Sequence, residues 1–215
     1  HSITQDIYLH PLIGFNAHDR FFTGVALHNF TLPAPFTLAG SLLGYSFKTN
    51  RPVIETGISH RISIAGNVIN SITPEMEYRT FSNGDPTTEI KKEYYHKISP
   101  KVSIQFSSKS QLATEKNISF RSIFINEVKK YRNLEKSQSN YAVHEVQYSH
   151  INLKHLFPHQ WRSTLEFNSS YFNINSSYLI DIPYKYGRKT YGEFRFFAGY
   201  QNNEGKAFNS AFSLS

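Results

Sequence analysis

The chain has 215 residues and carries 23 Lys and Arg against 16 Asp and Glu, a net charge of +7. Aromatic residues make up 15%, there is one Met, and there is no Cys. The missing thiols exclude a disulfide scaffold and a thiolate zinc site. The composition is not the Ala/Leu/Glu/Lys-rich one of long helices, and the aromatic content argues against disorder. Mean hydropathy is −0.45, and no apolar run approaches the ~18 residues of a membrane helix. A closed barrel, however, crosses a bilayer with strands of ~9–11 residues that alternate apolar and polar side chains, so it stays hydrophilic on average. The polar start, His1 to Asp6, does not read as a signal peptide. The chain does not begin with Met, and it is expected to be a fragment of a longer polypeptide.

In chain order, turn signals come first at Ala17-His18-Asp19-Arg20, Leu32-Pro33-Ala34-Pro35 and Lys48-Thr49-Asn50-Arg51. A period of two then sets in, the mark of a strand whose side chains point to alternate faces. Pro52, Ile54, Thr56, Ile58, His60, Ile62 and Ile64 alternate with Val53, Glu55, Gly57, Ser59, Arg61 and Ser63. After Ala65-Gly66-Asn67, the residues Val68, Ile72, Met76 and Tyr78 oppose Ser71, Thr73, Glu75, Glu77 and Arg79. Asn83-Gly84-Asp85-Pro86 is the next turn. From Glu89 to Ser107 a mostly apolar row (Ile90, Lys92, Tyr94, His96, Ile98, Pro100, Val102, Ile104, Phe106) opposes an almost wholly polar one (Glu89, Lys91, Glu93, Tyr95, Lys97, Ser99, Lys101, Ser103, Gln105). Around Asn126 to Arg132 a helix and a strand fit comparably. Trp161, Leu165, Phe167 and Tyr171 form a further row, as do Tyr178 to Tyr186, then Phe194 to Tyr200. After Asn202-Asn203-Glu204-Gly205 come Phe208, Phe212 and Leu214. This gives roughly twelve strands joined by hairpin-length links, with no composition break. Residues 1–215 are expected to form a single domain.

A soluble sandwich and a membrane barrel share this pattern and differ in where the apolar face goes. The alternating runs are long against a typical strand of ~5–6 residues. Apolar rows often end on aromatics, as girdles at the two membrane interfaces do. The polar rows mix small residues with opposite charges. The predicted fold class is therefore all-β, an antiparallel up-and-down transmembrane β-barrel that is open to further strands at either end. Its expected lumen-lining residues are Glu55, Arg61, Glu75, Glu77, Arg79, Glu93, Lys97 and Lys101. Its expected aromatic-girdle residues are Tyr78, Phe106, Trp161, Tyr171, Tyr184 and Tyr200.

The stretch from Pro11 to Phe30, with Gly14-Phe15-Asn16, Asp19, Phe21, Gly24 and Leu27-His28-Asn29, resembles the hairpin that opens the C-terminal outer-membrane barrel region of M1-type aminopeptidase-like proteins of Bacteroidota. Leu43-Gly44-Tyr45-Ser46-Phe47 and Arg195-Phe196-Phe197-Ala198-Gly199 resemble later strands of that region. The resemblance covers the ends of the chain better than the middle. It implies a Gram-negative outer-membrane location and places any peptidase portion upstream of His1. Catalysis does not carry over, because the family's H-E-x-x-H zinc motif is absent. The nearest string, His144-Glu145-Val146-Gln147-Tyr148 with His150 beyond it, misses the i, i+4 spacing.

Other chemistry reads as weak. His144 and His150 are too far apart on an extended strand to share an ion, and His155 and His159 flank Pro158 without an acidic or thiol partner. Glu75, Glu77, Glu93 and Glu166 read more plainly as ion-pair partners than as hydrolytic carboxylates. No G-x-S-x-G elbow, P-loop or dinucleotide fingerprint is present. The lysines at 91, 92, 97 and 101 alternate with acids and lack a recognition helix, so nucleic acid is not an expected partner. The Asn-x-Ser/Thr strings at Asn29, Asn117, Asn168 and Asn175 fall near chance frequency. No catalytic residue, metal or cofactor is expected in this segment. The expected partners are the outer-membrane bilayer and other envelope proteins. The expected role is to anchor a larger envelope protein or to serve as a subunit of an outer-membrane complex. The alternatives are a porin-like transport barrel with a polar lumen, and a soluble secreted β-sandwich binding domain.

Overall fold

Val, Ile, Thr, Tyr and Phe fill most of the apolar rows, and they are the residues that fit a pleated surface. Gly, Asn and Pro cluster between the rows, where the backbone must reverse. The computed structural model describes residues 6–16, 20–66, 68–82, 90–107, 114–131, 136–153, 158–183 and 191–203. Twelve strands run in order: β1 (Tyr8–Asn16), β2 (Arg20–His28), β3 (Thr37–Ser46), β4 (Arg51–His60), β5 (Ile62–Ser63), β6 (Ile69–Ser82), β7 (Ile90–Phe106), β8 (Thr114–Tyr131), β9 (Lys136–Asn152), β10 (His159–Phe167), β11 (Tyr171–Pro183) and β12 (Tyr191–Asn203). Among the described residues there is no helix, and the Asn126–Arg132 ambiguity resolves to strand through Tyr131.

The protein is a single antiparallel sheet in which sequence neighbours pair, in the order β1-β2-β3-β4-β6-β7-β8-β9-β10-β11-β12, with the two-residue β5 attached to β6. The chain falls into two compact units. The first contains His1–Ile64, Ser71–Ser103 and Arg121–Ala142, and the second contains Ala65–Asn70, Ile104–Phe120 and Val143–Ser215. Strands β7, β8 and β9 have 17, 18 and 17 residues, well beyond the ~9–11 that span a bilayer.

Local chemistry sets the reversals. Asn50 takes a left-handed φ of 52° in the β3–β4 turn, which Asn tolerates better than most residues. The Ser46 hydroxyl accepts from the Thr49 amide at 3.2 Å in the same turn. Two rows differ from the sequence reading. The Pro52–Ile64 row breaks at Arg61 into β4 and β5. The Trp161–Tyr171 row, expected as one strand, reverses at Asn168. The Asn168 carboxamide oxygen accepts from the amides of Ser170 (2.7 Å) and Tyr171 (2.9 Å), and the Asn168 amide donates to the Tyr171 carbonyl at 3.0 Å. An Asn side chain that binds the backbone two and three residues on competes with the strand ladder and makes a turn. The reversal moves Tyr171 off the apolar row, onto the row of Glu166 and Asn173.

Between β2 and β3, Asn29 holds the connection together. Its side chain donates to the Thr37 carbonyl and accepts from the Ala39 amide, both at 2.8 Å. The residue is buried.

Candidate functional site

Residues directly opposite in an antiparallel ladder share a face, so the register sorts every paired side chain. In the first unit, Leu9–Leu27–Ser41–Thr56–Tyr78 and Ile13–Thr23–Tyr45–Pro52 lie on one face, with Ala39–Ile58–Met76 beside them. Glu55–Arg79, Gly57–Glu77 and Ser59–Glu75 lie on the other. The Tyr78 hydroxyl meets His96 Nδ1 at 2.9 Å, which puts the even positions of β7, Ile98 and Val102 included, on the apolar face. Lys101 Nζ meets Glu75 at 3.3 Å, which puts the odd positions on the polar face.

In the second unit the apolar rows are Val146–Leu165–Ile174–Tyr200 and Trp161–Tyr178–Phe196. The polar rows are Glu145–Glu166–Asn173–Gln201 and Gln147–Thr164–Asn175–Gly199. Among strand residues with described side chains, every Asp, Glu and Arg takes the polar parity of its unit. So does every Lys except Lys116, near the start of β8. The Arg51 guanidinium nevertheless reaches the ring of Tyr94, an even position of β7, at 3.6 Å.

Large apolar side chains usually go inside a water-soluble domain, but here many on the apolar face are exposed, as is Phe197 on the polar face at 73%. Ile13 is 77% exposed, Phe196 62%, Ile98 44% and Val102 42%, whereas Ser46 and Ser99 on the polar face are at 0% and 1%. Among the described residues the buried hydrophobic side chains are Tyr95, Ile123, Ile125 and Val128. Buried polar ones include Ser46, Ser71, Ser99, Ser119, Glu127 and Glu145.

The polar face of the first unit is cross-linked. Arg79 pairs with Glu55. Those two line a hollow of about 80 Å³ with Glu77, Lys97 and Gly57, large enough for a few waters. Further along, Glu127 is buried and accepts from the Tyr95 hydroxyl (3.3 Å), the Ser139 hydroxyl (3.1 Å) and Lys129 Nζ (2.6 Å). A buried carboxylate is tolerated when it is paired and hydrogen-bonded in this way. In the second unit, Glu166 stands opposite Glu145 and accepts from Asn173 at 3.3 Å, and Arg195 pairs with Glu193 at 3.2 Å.

The expected lumen residues thus separate. Glu55, Glu77, Arg79 and Lys97 surround one hollow, and Glu75 with Lys101 forms the neighbouring pair. Arg61 sits apart, at the break between β4 and β5, where its amide donates to the Phe36 carbonyl at 2.7 Å. There it borders an open hollow of about 690 Å³ with Asp6, Thr31 and His60. The side chain of Glu93 lies outside the described residues. Of the girdle candidates, Tyr78, Trp161 and Tyr200 are on apolar rows. Phe106 ends β7 on an even position. Tyr171 is on a polar row, and Tyr184 lies outside the described residues, as does His155. Three features did not show in the sequence: the Glu127 cluster, the burial of Ile123 and Ile125, and the Asn29 clamp.

Among the described residues no three His, Asp or Glu gather closely enough to hold a metal ion. Compared with protein-family models, with curated proteins and with solved structures, the chain matches none.

Proposed function

We propose that this segment is an outer-membrane β-barrel module that holds a larger envelope protein, or an envelope complex, at the bilayer. The observation that carries the reading is the segregation of charge and exposure. Most large exposed apolar side chains stand on the face that is almost free of ionised groups, and small polar side chains (Ser46, Ser71, Ser99, Ser119) with the paired Glu127 are buried on the other, where the remaining ion pairs are partly exposed. Water offers no reason for that inversion, whereas acyl chains against the apolar face do. Consecutive antiparallel pairing through the sheet is the topology from which an up-and-down barrel closes. The nine residues of β7 from Ile98 to Phe106, with apolar side chains at the even positions, match the length that a tilted strand needs to cross.

The segment works as an anchor in this reading rather than as an enzyme or a pore. The polar face of the first unit is filled with opposite charges that satisfy one another (Glu55 with Arg79, Glu75 with Lys101, Glu127 with Lys129). A selective channel concentrates one sign instead. The motif between Pro11 and Phe30, which occupies the β1–β2 hairpin and the residues after it, supports an M1-type aminopeptidase-like parent in a Bacteroidota outer membrane.

The experiment is reconstitution. The chain, unfolded in urea, is diluted into phospholipid vesicles. Co-flotation with the vesicles and a heat-sensitive shift in gel mobility are expected. A monodisperse, folded protein in detergent-free buffer would contradict the reading and favour the sandwich. Planar-bilayer recording separates anchor from transporter, with a stable single-channel conductance deciding for transport. An H-E-x-x-H in the reading frame upstream of His1 supports the parentage, and a complete upstream frame without one contradicts it.

A further inference from the structure

Lys116 is the exception to the charge segregation among the described strand residues of the second unit, and its surroundings are specific. In the second unit no described carboxylate shares the apolar face, because Glu115, Glu145, Glu166, Asp181 and Glu193 all take the other parity. Lys116 is exposed, and the Phe120–His144 ring stack and the Asn126–Asn140 hydrogen bond align β8 with β9 so that Lys116 falls beside His150. The His150 and His159 rings lie 5.5 Å apart, edge to face. His150 stands directly opposite Trp161 in the β9–β10 ladder. Trp161 packs edge-on against Tyr148 at 5.4 Å, and its indole N–H donates to the Ser176 hydroxyl at 3.0 Å, which fixes the ring. All of these positions fall toward one end of their strands: the start of β8, the end of β9 and the start of β10. Apolar side chains (Ile118, Phe120, Val146, Leu165, Ile174) continue from there along the same face.

A cation and two imidazoles beside a fixed indole, at the edge of an apolar band and with no described carboxylate on that face, suit one ligand: an anionic headgroup whose acyl chains lie along that band. The geometry points to a lipid-phosphate site at the membrane boundary, in which Lys116, His150 and His159 hold the phosphodiester of an anionic lipid and Trp161 and Tyr148 flank its glycerol region. The inference rests on the membrane reading above and names the lipid class that this part of the wall selects. A Lys near a membrane surface attracts anionic lipid by about fivefold in local occupancy.

Trp161 is the only tryptophan, so it reports on this site alone. The chain is reconstituted in vesicles of phosphatidylcholine and phosphatidylglycerol, with bromine on the acyl chains of one lipid or the other, and Trp161 quenching is compared. About fivefold preference for phosphatidylglycerol is expected. The preference is expected to persist in Lys116→Arg, to fall in His150→Gln and His159→Gln, and to vanish in Lys116→Gln. Excess inorganic phosphate should leave it intact. Equal quenching by the two lipids in the unaltered chain overturns the site and leaves the membrane reading standing. A preference that survives Lys116→Gln also overturns it, as does one abolished by inorganic phosphate, which would mark a soluble-anion site. Quenching by neither lipid overturns the site and the membrane reading together.

Discussion

Val102→Lys places a charge on the apolar face where the account is most exposed to test. Val102 is the central residue of the nine from Ile98 to Phe106, with four residues on either side, about 13 Å of strand. Its side chain is 42% exposed, so if water covered it the substitution would be worth within about 0.5 kcal/mol, as at most surface positions. Against acyl chains a Lys near the midplane costs about 2–4 kcal/mol, a 30- to 900-fold change in the folding equilibrium at about 1.36 kcal/mol per decade. Lys101 is one residue away on the opposite face, paired with Glu75 at 3.3 Å with about a third of its side chain exposed (34%). Lys101→Ala removes one partly screened ion pair and is expected to cost less than about 1 kcal/mol. Urea titration of the chain refolded into vesicles, read by heat-dependent gel mobility, measures both. A cost for Val102→Lys below about 1 kcal/mol in lipid, or equal costs at the two neighbours, refutes the assignment of faces.

Three further outcomes follow from packing. Gly24→Ala is expected to destabilise by about 1–3 kcal/mol, because a Cβ there would meet the Leu43 carbonyl and the Gly44 backbone of the adjacent strand, which cannot move aside. Gly14→Ala should cost less, since its obstacle is the Phe22 ring, and equal urea midpoints would contradict the distinction. Glu127→Ala is expected to cost about 1–3 kcal/mol, because the Tyr95 and Ser139 hydroxyls and Lys129 lose their shared acceptor. A midpoint unchanged from the parent would show that the cluster contributes nothing. Glu55→Ala and Arg79→Ala, both at half-exposed side chains, should each cost under about 1 kcal/mol, and their coupling should shrink with added salt. A salt-independent coupling would place the pair in a drier setting than its exposure indicates.

The strands were legible where alternation was strict. The β7 row, Ile98 to Phe106 against Lys97 and Lys101, gave the strand and the division of its faces directly, and Ile58, Met76 and Tyr78 did the same for β4 and β6. What escaped depended on side chains that bind the backbone or meet across strands. Asn168 continues the polar parity of Arg162, Thr164 and Glu166, and only its two bonds to amides make it a turn. Asn29 read as a chance glycosylation string, although its burial comes from a connection that closes ten residues later. Ile123 and Ile125 are buried on the polar-face parity of Glu127, whose bond to Tyr95 spans 32 residues that no local period announces. The charged rows gave away Glu55, Glu77, Arg79 and Lys97 together. They hid the exception at Lys116, which has meaning only once register shows that its face has no described acid.

Accessibility scanning along β7 tests the account most directly, and the absence of native cysteine makes it clean. Single cysteines at each position from 96 to 106, labelled with a nitroxide in reconstituted vesicles, are read for collision with oxygen and with a water-soluble nickel chelate. Oxygen should dominate at 98, 100, 102, 104 and 106 and the chelate at 97, 101, 103 and 105, with neither reaching the buried position 99. A profile without that two-residue rhythm, or with the chelate favoured at 98 and 102, contradicts the claim that the apolar side of this sheet meets lipid.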